Sequence, residues 1–268
     1  MPSGCSDSRD RVQPSTPITS RKGQYSTPNY NVYDLADTLQ GCNQLLTLYI
    51  ANKNYSSWSL RPWVLMRERG IEFEERLVPF GGPSFRSFSP SGKVPCLVDG
   101  AIVVWDSLAI TEYLGERYPG VWPAQADARA WARCVAAEMH SGFQQIRNTC
   151  SMNCGIRVRL HSVPPELKDE WDRVDQLWSE GLQRFGGPFL AGDAFTAADA
   201  FFAPVAFRVQ TYSPPLSASA SEYAGRLLAL PSMQEWHAAA LQEPWRDEAH
   251  EAETRRVGEW IADLRLPR

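Results

Sequence analysis

The segment SGKVPCLVDG, followed by WDSLAITEYL, constrains the fold of this chain more than any other stretch. Its first apolar run ends at Asp99 and Gly100, a pair that is typical of a tight hairpin turn. A second apolar run, AIVVW, follows, and Asp106 and Ser107 then begin a helical pattern that reaches residue 118. The sequence therefore predicts two antiparallel strands followed by a helix.

The residues just before this segment predict a strand, a helix and a second strand. They read LLTLYIA from Leu45, SLRPWVLMRERG ending at Gly70, and FEERLVPF. A β-α-β unit followed by a β-β-α unit is the thioredoxin-like arrangement. We therefore expect an α/β thioredoxin-like N-terminal domain at residues 45–122.

Beyond a linker rich in Pro and Gly, the pattern changes to that of helices. Apolar residues recur at spacings of four, four, four and three and predict one face of a long helix: Trp131, Val135, Met139, Phe143 and Ile146. Further helices are expected at 166–185, 197–209 and 223–230, with another starting near Pro231. No strand is expected there, so residues 123–268 are predicted to form an all-α helical bundle.

Residues 1–44 carry no sustained apolar period. They are rich in Ser, Pro, Thr, Gly and Asn, so they bury too little apolar surface to offset the entropy of ordering the chain. The sequence predicts a disordered extension over 1–44.

Composition excludes several classes of protein. A hydrophobic content of 43% and a charged content of 22% are ordinary for a globular chain. No apolar run approaches the roughly 20 residues that span a membrane, and the start lacks the apolar core of a secretory signal. A net charge of -4 with scattered Lys and Arg does not favour nucleic acid as a partner.

The six cysteines are predicted to be reduced thiols, because no export signal accompanies them, and a cytoplasmic location is favoured. Cys150 and Cys154 lie four residues apart, but no second matched pair follows them. A metal site is therefore not predicted, and buried structural thiols are the better interpretation.

Three separated motifs occur in one order: YSSWSLRPW, then GKVPCLVDG with WDS, then GDAFTAAD. Together they make the chain resemble the cytosolic glutathione S-transferases over about residues 45–245, and in particular serine-type bacterial members with a zeta/theta-like N-terminal domain. The resemblance implies glutathione as co-substrate, a small electrophilic molecule as the second substrate, and a homodimer.

In the first motif, the resemblance makes Ser56 and Ser57 the candidate catalytic residues, since a hydroxyl here stabilises the glutathione thiolate in serine-type members. Counted from Arg61, Ser56 fits the zeta-like S-S-x-x-x-R pattern and is favoured, while Ser57 fits the theta-like S-x-x-x-R spacing. Trp58 occupies the zeta-like cysteine position. The alternative is that these serines only cap the helix.

In the second motif, the resemblance implies the glutathione-binding residues. The peptide bond before Pro95 is expected to be cis, and the backbone of Val94 to pair with the cysteinyl backbone of glutathione. Lys93 would reach the glycine carboxylate, or else be a solvated lysine. Ser107 would hold the γ-glutamyl carboxylate and Asp106 the γ-glutamyl amine, although either residue could be a simple N-cap.

The third motif is predicted to be structural. Thr196 is expected to cap a helix, and the Asp199 carboxylate to reach back to the Thr196 N–H. No chemistry is assigned to it.

The acceptor site is expected between the domains, under the helix that carries AEMHSGFQQIR and the MNC segment after it. Met139 and Phe143 lie on the apolar stripe and are predicted to be core residues. Arg147 and His140 lie off that stripe and could meet an anionic substrate.

Two other functions are weighed against thiolate activation for conjugation or isomerisation. Glutathione-dependent thiol oxidoreductases need a nucleophilic sulfur, yet Ser56 and Ser59 carry none, and Cys96 is expected to face the neighbouring strands. A non-catalytic interaction module built on the same fold is the other alternative, and the joint presence of Lys93, Asp106 and Ser107 argues against it.

Overall fold

The computed structural model describes residues 45–267, and their first part is a four-stranded sheet with helices packed on it. The strands and helices are β1 (Leu46–Ile50), α1 (Ser57–Glu68), β2 (Phe73–Leu77), β3 (Cys96–Asp99), β4 (Ile102–Trp105) and α2 (Ser107–Gly115). The sheet order is β2-β1-β3-β4, with β1 and β2 parallel and the other pairs antiparallel. The thioredoxin-like arrangement is confirmed.

Strand β1 lies inside this sheet because alternate side chains face the core. Leu46, Leu48 and Ile50 are buried, and the residues between them are half-buried. Leu48 pairs with Glu75 of β2 on one side and with Leu97 of β3 on the other. This period of two fixes the register, and it places the carboxyl end of β1 where α1 begins.

The second part of the described chain is mainly helical, as expected. Its helices are α3 (Ala126–Ser141), α4 (Gln144–Thr149), α5 (Pro165–Phe185), α6 (Ala197–Tyr212), α7 (Ala218–Leu228), α8 (Pro231–Gln242) and α9 (Glu248–Val257). None of the helices that the structure describes is long and apolar enough to cross a membrane.

The long helix predicted from the apolar stripe is interrupted. Helix α3 ends at Ser141, Gly142 leaves the helical conformation, and Phe143 adopts a left-handed conformation with φ of 60° before α4 begins. Phe143 and Ile146 are nevertheless buried, so the stripe still marks core residues. The spacing identified the buried side chains correctly but could not reveal the break between them.

The prediction that residues 123–268 contain only helices needs correction. An antiparallel pair of strands, β5 (Ile156–Leu160) and β6 (Gly258–Asp263), lies within the helical region. In β5, the apolar residues Ile156, Val158 and Leu160 alternate with arginines, a period of two that is typical of a half-buried strand.

The two parts of residues 45–267 form one compact unit with a shared core. Helix α1 packs against α6 and α8, and Trp63 of α1 meets Trp236 of α8 edge to face with their ring centroids 5.0 Å apart. The boundary expected near residue 122 thus separates two patterns of secondary structure within one packed unit. The extension expected over 1–44 lies outside the described residues.

Candidate functional site

Two neighbouring cavities open where β1 leads into α1. The serine cavity, of about 330 Å³, contains Ser56 and Ser57 in its wall. The α2 cavity, of about 430 Å³, reaches the start of α2. Trp58, Lys93 and Val94 line both. All seven residues that the sequence nominates for the site therefore line one cavity or the other: Ser56, Ser57, Lys93, Val94, Pro95, Asp106 and Ser107.

Ser56 and Ser57 differ in their hydrogen bonding. Ser56 stands at the N-cap position of α1 but makes no side-chain capping bond. Its hydroxyl donates to Ser59 Oγ over 2.7 Å, and Ser59 Oγ also accepts the Ala51 N–H at 3.3 Å. The Ser57 hydroxyl bonds to no other described residue, although the residue is only 7% exposed. The alternative in which Ser56 only caps the helix is therefore not observed.

The loop that carries these serines is held by the helical region. The Glu243 carboxylate accepts the Lys53 N–H at 2.6 Å, and the Trp236 indole N–H donates to the Lys53 carbonyl at 2.8 Å. The Tyr55 hydroxyl donates to Glu251 of α9 at 2.5 Å. Because these partners are buried, the loop between β1 and α1 has a fixed geometry.

Tyr55 lines the serine cavity, but its hydroxyl proton is already used. Burial, together with the Glu251 carboxylate that accepts this proton, raises the pKa of Tyr55 to about 12. A phenol that has a raised pKa and already donates its proton to a carboxylate is poorly suited to stabilise a thiolate. Tyr55 instead anchors the loop between β1 and α1 through its bond to Glu251.

The turn before β3 has the expected backbone. The Val94–Pro95 peptide bond is cis. Within the described residues, no group pairs with the N–H or the C=O of Val94, whereas Cys96 onwards is paired in the sheet. Lys93 is exposed at the edge of both cavities and has no carboxylate within 4.0 Å in the described part of the chain. The turn thus offers an unpaired backbone segment and a cation.

Asp106 caps helix α2. It has a φ of 75°, which is uncommon for a residue other than glycine, and its Oδ1 accepts the Leu108 N–H at 2.8 Å. Its Oδ2 lies 3.6 Å from Nε2 of His140. The capping alternative is therefore observed for Asp106, while its second oxygen lines the α2 cavity together with His140.

Ser107 is buried at the first position of α2, where its hydroxyl oxygen accepts from Arg61 Nη1 at 3.4 Å. Because that oxygen accepts from Arg61, its own proton remains available to a ligand in the α2 cavity. Arg61 is itself fully buried, and its guanidinium lies 4.2 Å from the centroid of the Trp58 ring.

Three arginines lie at or next to the serine cavity. Arg147 of α4 and Arg208 of α6 line the cavity, and Arg61 lies behind Trp58. Burial, and then the repulsion of Arg147 and Arg208, lowers the pKa of Arg61. Burial followed by repulsion from Arg147 lowers the pKa of Arg208 to about 10. No carboxylate among the described residues lies within salt-bridge distance of any of the three.

The side chains expected to form the acceptor site divide as predicted between core and surface. Met139 and Phe143 are buried in the core and line neither cavity. Arg147 reaches the serine cavity, whereas His140 reaches the α2 cavity.

Further lining residues were missed: Arg208, and His250 and Glu253 of α9. Arg208 had a signal, because it is a lone charge in the apolar run of α6. The other two come from a helix that was not predicted.

The four cysteines that the structure describes line neither cavity. Cys96 is buried against the sheet, its Sγ lies 3.4 Å from the Phe88 carbonyl oxygen, and burial raises its pKa. Cys150 and Cys154 are buried as well, and burial raises the pKa of Cys150 to about 12. Among residues 45–267 no group of three or more His, Cys, Asp or Glu side chains could hold a metal ion.

The GDAFTAAD motif has the predicted structural geometry. Asp199 is fully buried, and its Oδ2 accepts the Thr196 N–H at 2.8 Å at the start of α6. Its other oxygen accepts from the Leu190 N–H at 2.9 Å and the Tyr223 hydroxyl at 2.8 Å. The motif therefore joins α6, α7 and the loop before α6.

Comparisons with known proteins agree with this geometry. The profile of the glutathione S-transferase N-terminal domain matches residues 55–117, and that of the glutathione S-transferase C-terminal domain matches residues 163–239. Glutathione S-transferase 1 of Dianthus caryophyllus is 30% identical over 173 residues, which are 60% of this chain and 76% of that protein. The chain belongs to the glutathione S-transferase family. The family and enzyme class predicted from the three motifs are confirmed.

Two further relatives bear on the subclass of transferase. The probable maleylacetoacetate isomerase of Vibrio cholerae is 26% identical over 193 residues, covering 66% of this chain and 89% of the isomerase. A crystal structure of a glutathione transferase homologue from Burkholderia, with bound glutathione, superposes with a TM-score of 0.54 and 25% identity. That match covers 74% of this chain and 98% of the homologue.

Proposed function

We propose that this transferase binds glutathione across the two cavities, with the γ-glutamyl end at α2 and the sulfur in the serine cavity. The bound thiol becomes a thiolate and attacks an electrophilic carbon of a small molecule. The observation that carries the proposal is the Ser57 hydroxyl, which has no hydrogen-bond partner among residues 45–267 and lines the same cavity as Val94, whose backbone is likewise unpaired in that range.

The proposed pose uses one group for each polar part of glutathione. The N–H and C=O of Val94 would pair with the cysteinyl backbone as an added strand does. Lys93 would meet the glycine carboxylate. The Ser107 hydroxyl and backbone N–H would hold the γ-glutamyl carboxylate, and Oδ2 of Asp106, the oxygen that does not cap α2, would hold the γ-glutamyl amine.

The start of α1 can supply the free energy that ionisation of the glutathione thiol requires. A free thiol titrates near 8.5, and lowering that pKa by about two units requires about 2.7 kcal/mol of preferential stabilisation of the thiolate. A hydrogen bond to a charged group contributes roughly 1.5 to 3 kcal/mol, and a helix N-terminus roughly 0.3 to 2. Ser57 begins α1, so both sources act at one position.

The hydrogen bonds favour Ser57 over Ser56 as the direct donor. A hydroxyl carries a single proton, and that of Ser56 is given to Ser59. The preference for Ser56 that the motif spacing suggested stays a prediction. In the proposed arrangement Ser56 supports the loop, and Ser57 contacts the sulfur.

Arg147 and Arg208 favour an acceptor with a negative charge. Arg208 is buried and Arg147 is half-buried, and both line the serine cavity without a carboxylate partner in the described chain. Cations in such surroundings are stabilised by an anionic ligand. Conjugation and isomerisation share the first step, attack of the thiolate on the acceptor. The isomerase relative in Vibrio cholerae supports isomerisation of an unsaturated acid as one form of this reaction.

A matched pair of acceptors tests the charge preference. Chlorodinitrobenzoate carries a carboxylate, and chlorodinitrobenzene is its neutral counterpart. For Arg147→Gln we expect the KM of the carboxylate-bearing acceptor to rise roughly 10-fold, the size of one charge-assisted hydrogen bond, with little change for the neutral one. The exposed Arg159→Gln serves as control. Equal changes for both acceptors would remove Arg147 from acceptor recognition.

Calorimetry with glutathione tests the proposal as a whole. Binding with a dissociation constant well below the millimolar range, weakened by Lys93→Met but not by the exposed Lys168→Met, supports it. Absence of binding up to millimolar glutathione would favour the interaction module.

The proposal extends to a cytoplasmic homodimer. Strand β4 is an edge strand that exposes Ile102 (46%), Val103 (37%) and Trp105 (44%) to solvent. Large apolar side chains on an exposed edge strand are typical of a surface that pairs with another chain. Analytical ultracentrifugation should give a dimer for the wild type and a monomer for Ile102→Lys. A wild-type monomer at micromolar concentration would contradict the dimer.

A further inference from the structure

A histidine and an aspartate on α9 form a fixed pair in the wall of the serine cavity. Asp247 is the N-cap of α9, and its Oδ1 accepts the backbone N–H of His250 at 3.1 Å. The same oxygen lies 2.8 Å from Nδ1 of the His250 ring. A carboxylate can only accept, so Nδ1 carries a proton and Nε2 is the second functional nitrogen of the ring.

The ring of His250 stacks with two aromatic residues. Its centroid lies 5.1 Å from that of Tyr55 and 5.2 Å from that of Phe80, with interplanar angles of 26° and 27°. Tyr55, Phe80 and His250 all line the serine cavity. No described residue forms a hydrogen bond with Nε2. Stacking and the Asp247 contact thus fix the ring, and they leave one nitrogen without a protein partner.

The charges around this ring are mixed. On its own helix, Asp247 contacts Nδ1, and Glu253 lines the same cavity; Lys93, Arg147 and Arg208 line it from other elements. Tyr55, whose hydroxyl is bound to Glu251, faces the ring from the loop before α1.

Although burial raises the pKa of Asp247, its bonds with His250 lower that pKa overall. The carboxylate is therefore an ionised acceptor for the Nδ1 proton.

We propose that His250 is a proton donor for the acceptor, and that Asp247 is its positioning residue. This inference rests on the proposed function, because it concerns the step that follows attack by the thiolate. Neither residue belongs to the three motifs that mark the family in this sequence.

The proton balance of the step is complete for an α,β-unsaturated ketone. The thiolate forms a carbon–sulfur bond at the β-carbon, and the π electrons of the double bond move to the α-carbon and carbonyl oxygen. The Nε2 proton of the His250 imidazolium passes to that enolate and leaves a neutral imidazole with Nδ1–H still bound to Asp247. The proton released when the next glutathione thiol ionises restores the imidazolium.

The reaction with an aryl chloride needs no proton donor. There the thiolate replaces chloride, which leaves with the electron pair, and no atom of the acceptor needs a proton. A residue that only packs against Tyr55 and Phe80 would affect both reactions alike. The comparison of an enone with an aryl chloride therefore separates proton donation from packing.

The experiment compares His250→Phe with the wild type, using benzylideneacetone as the enone and chlorodinitrobenzene as the aryl chloride. Phe keeps the stack but carries no proton. General acid catalysis contributes roughly 100-fold or more, so we expect kcat for the enone to fall by about that factor and kcat for the aryl chloride to change less than about threefold. His161→Phe, at an exposed histidine, is the matched control.

Asp247→Asn tests the positioning role, because Asn caps helices as well as Asp does. For the enone, the wild type should show a bell-shaped dependence of kcat on pH, rising as the thiol ionises and falling as the imidazolium loses its proton. Asp247→Asn should lower kcat for the enone more than kcat for the aryl chloride, because it loosens the ring that donates the proton, and His250→Phe should abolish the falling limb.

Each result has one meaning. A selective loss of enone addition in His250→Phe, with the altered falling limb, supports the inference. Equal losses for both acceptors, no loss, or a wild type that uses only the aryl chloride would overturn it and leave the transferase function intact. A wild type that forms no glutathione thiolate and uses neither acceptor would overturn the proposed function itself.

Discussion

At the scale of single residues, Ser56 and Ser57 are adjacent in sequence but differ in the hydrogen bonds that their hydroxyl groups make. Ser56 donates to Ser59, whereas the Ser57 hydroxyl bonds to no described residue and lines the serine cavity. Because a hydrogen bond to a charged group contributes roughly 1.5 to 3 kcal/mol, Ser57→Ala should lower kcat/KM for chlorodinitrobenzene roughly 10- to 100-fold.

The matched variants make this prediction specific. Ser56→Ala should lower kcat/KM by less, roughly threefold, because it removes only one bond that supports the loop. The exposed Ser219→Ala on α7 should have no effect. A larger loss in Ser56→Ala than in Ser57→Ala would restore the assignment that the zeta-like spacing favoured.

At the scale of secondary structure, the start of α6 depends on one buried carboxylate. Asp199 accepts hydrogen bonds from the Leu190 and Thr196 N–H groups and from the Tyr223 hydroxyl. Asp199→Ala leaves these buried donors without partners, at about 1 to 3 kcal/mol each, so the free energy of unfolding should fall by about 3 kcal/mol or more.

Denaturant unfolding measures this loss, with the exposed Asp169→Ala as control. A change below about 1 kcal/mol in Asp199→Ala would show that water or a rearranged loop replaces the carboxylate. The Asp199 bond to Thr196 was predictable because both residues are local to one helix start.

The elements that were predictable share a strong local pattern. The strands and helices from β1 to α2 have clear periods and turn residues, and the glutathione-binding candidates lie in short motifs between them. Strand β5 had a period of two that was available but outweighed by the helical segments around it. Helix α9 could not be predicted, because the residues that it buries include Glu251 and Thr254 and give no apolar stripe.

The acceptor side of the site shows the limit of local reasoning. Arg147, Arg208 and His250 come from three helices that are distant in sequence, and only tertiary packing brings them to one cavity. A lone arginine in an apolar helix indicates that a buried cation exists, but the sequence does not show what it faces. The residues proposed to bind glutathione could therefore be nominated from the sequence, as could Arg147, whereas Arg208 and His250 could not be placed at the cavity.

At the scale of the whole molecule, the last described residues are tied to the loop that carries the serines. Arg265 is buried; its guanidinium forms ion pairs with Glu251 and Asp263 and donates to the Tyr55 hydroxyl at 3.2 Å. Strand β6 and the loop between β1 and α1 thus share one polar cluster, through which the C-terminal region supports the candidate site.

This cluster gives a pH dependence of stability with a definite sign. The hydrogen bonds from Arg265 lower the pKa of Asp263 below the ordinary value of 3.8. A carboxyl with a depressed folded-state pKa contributes stability that is present above its unfolded pKa and is lost as the pH falls through its folded pKa. In the wild type, this contribution should disappear below about pH 4.

Asp263→Asn should remove that dependence. The difference in melting temperature between wild type and variant should be largest near neutral pH and should shrink as the pH falls below about 4. Other carboxyls titrate in both proteins, so the difference isolates Asp263. A difference that stays constant down to pH 2.5 or grows toward acid would contradict the assignment, with pH 2.5 being about one unit below the ordinary pKa.

The central claim is that glutathione lies across both cavities with its sulfur ionised beside the serines. Titration of the ultraviolet thiolate absorbance of bound glutathione tests it most directly. The account predicts a thiol pKa about two units below its free value near 8.5, moving back by one unit or more in Ser57→Ala. A bound thiol that titrates like free glutathione in the wild type would contradict the account.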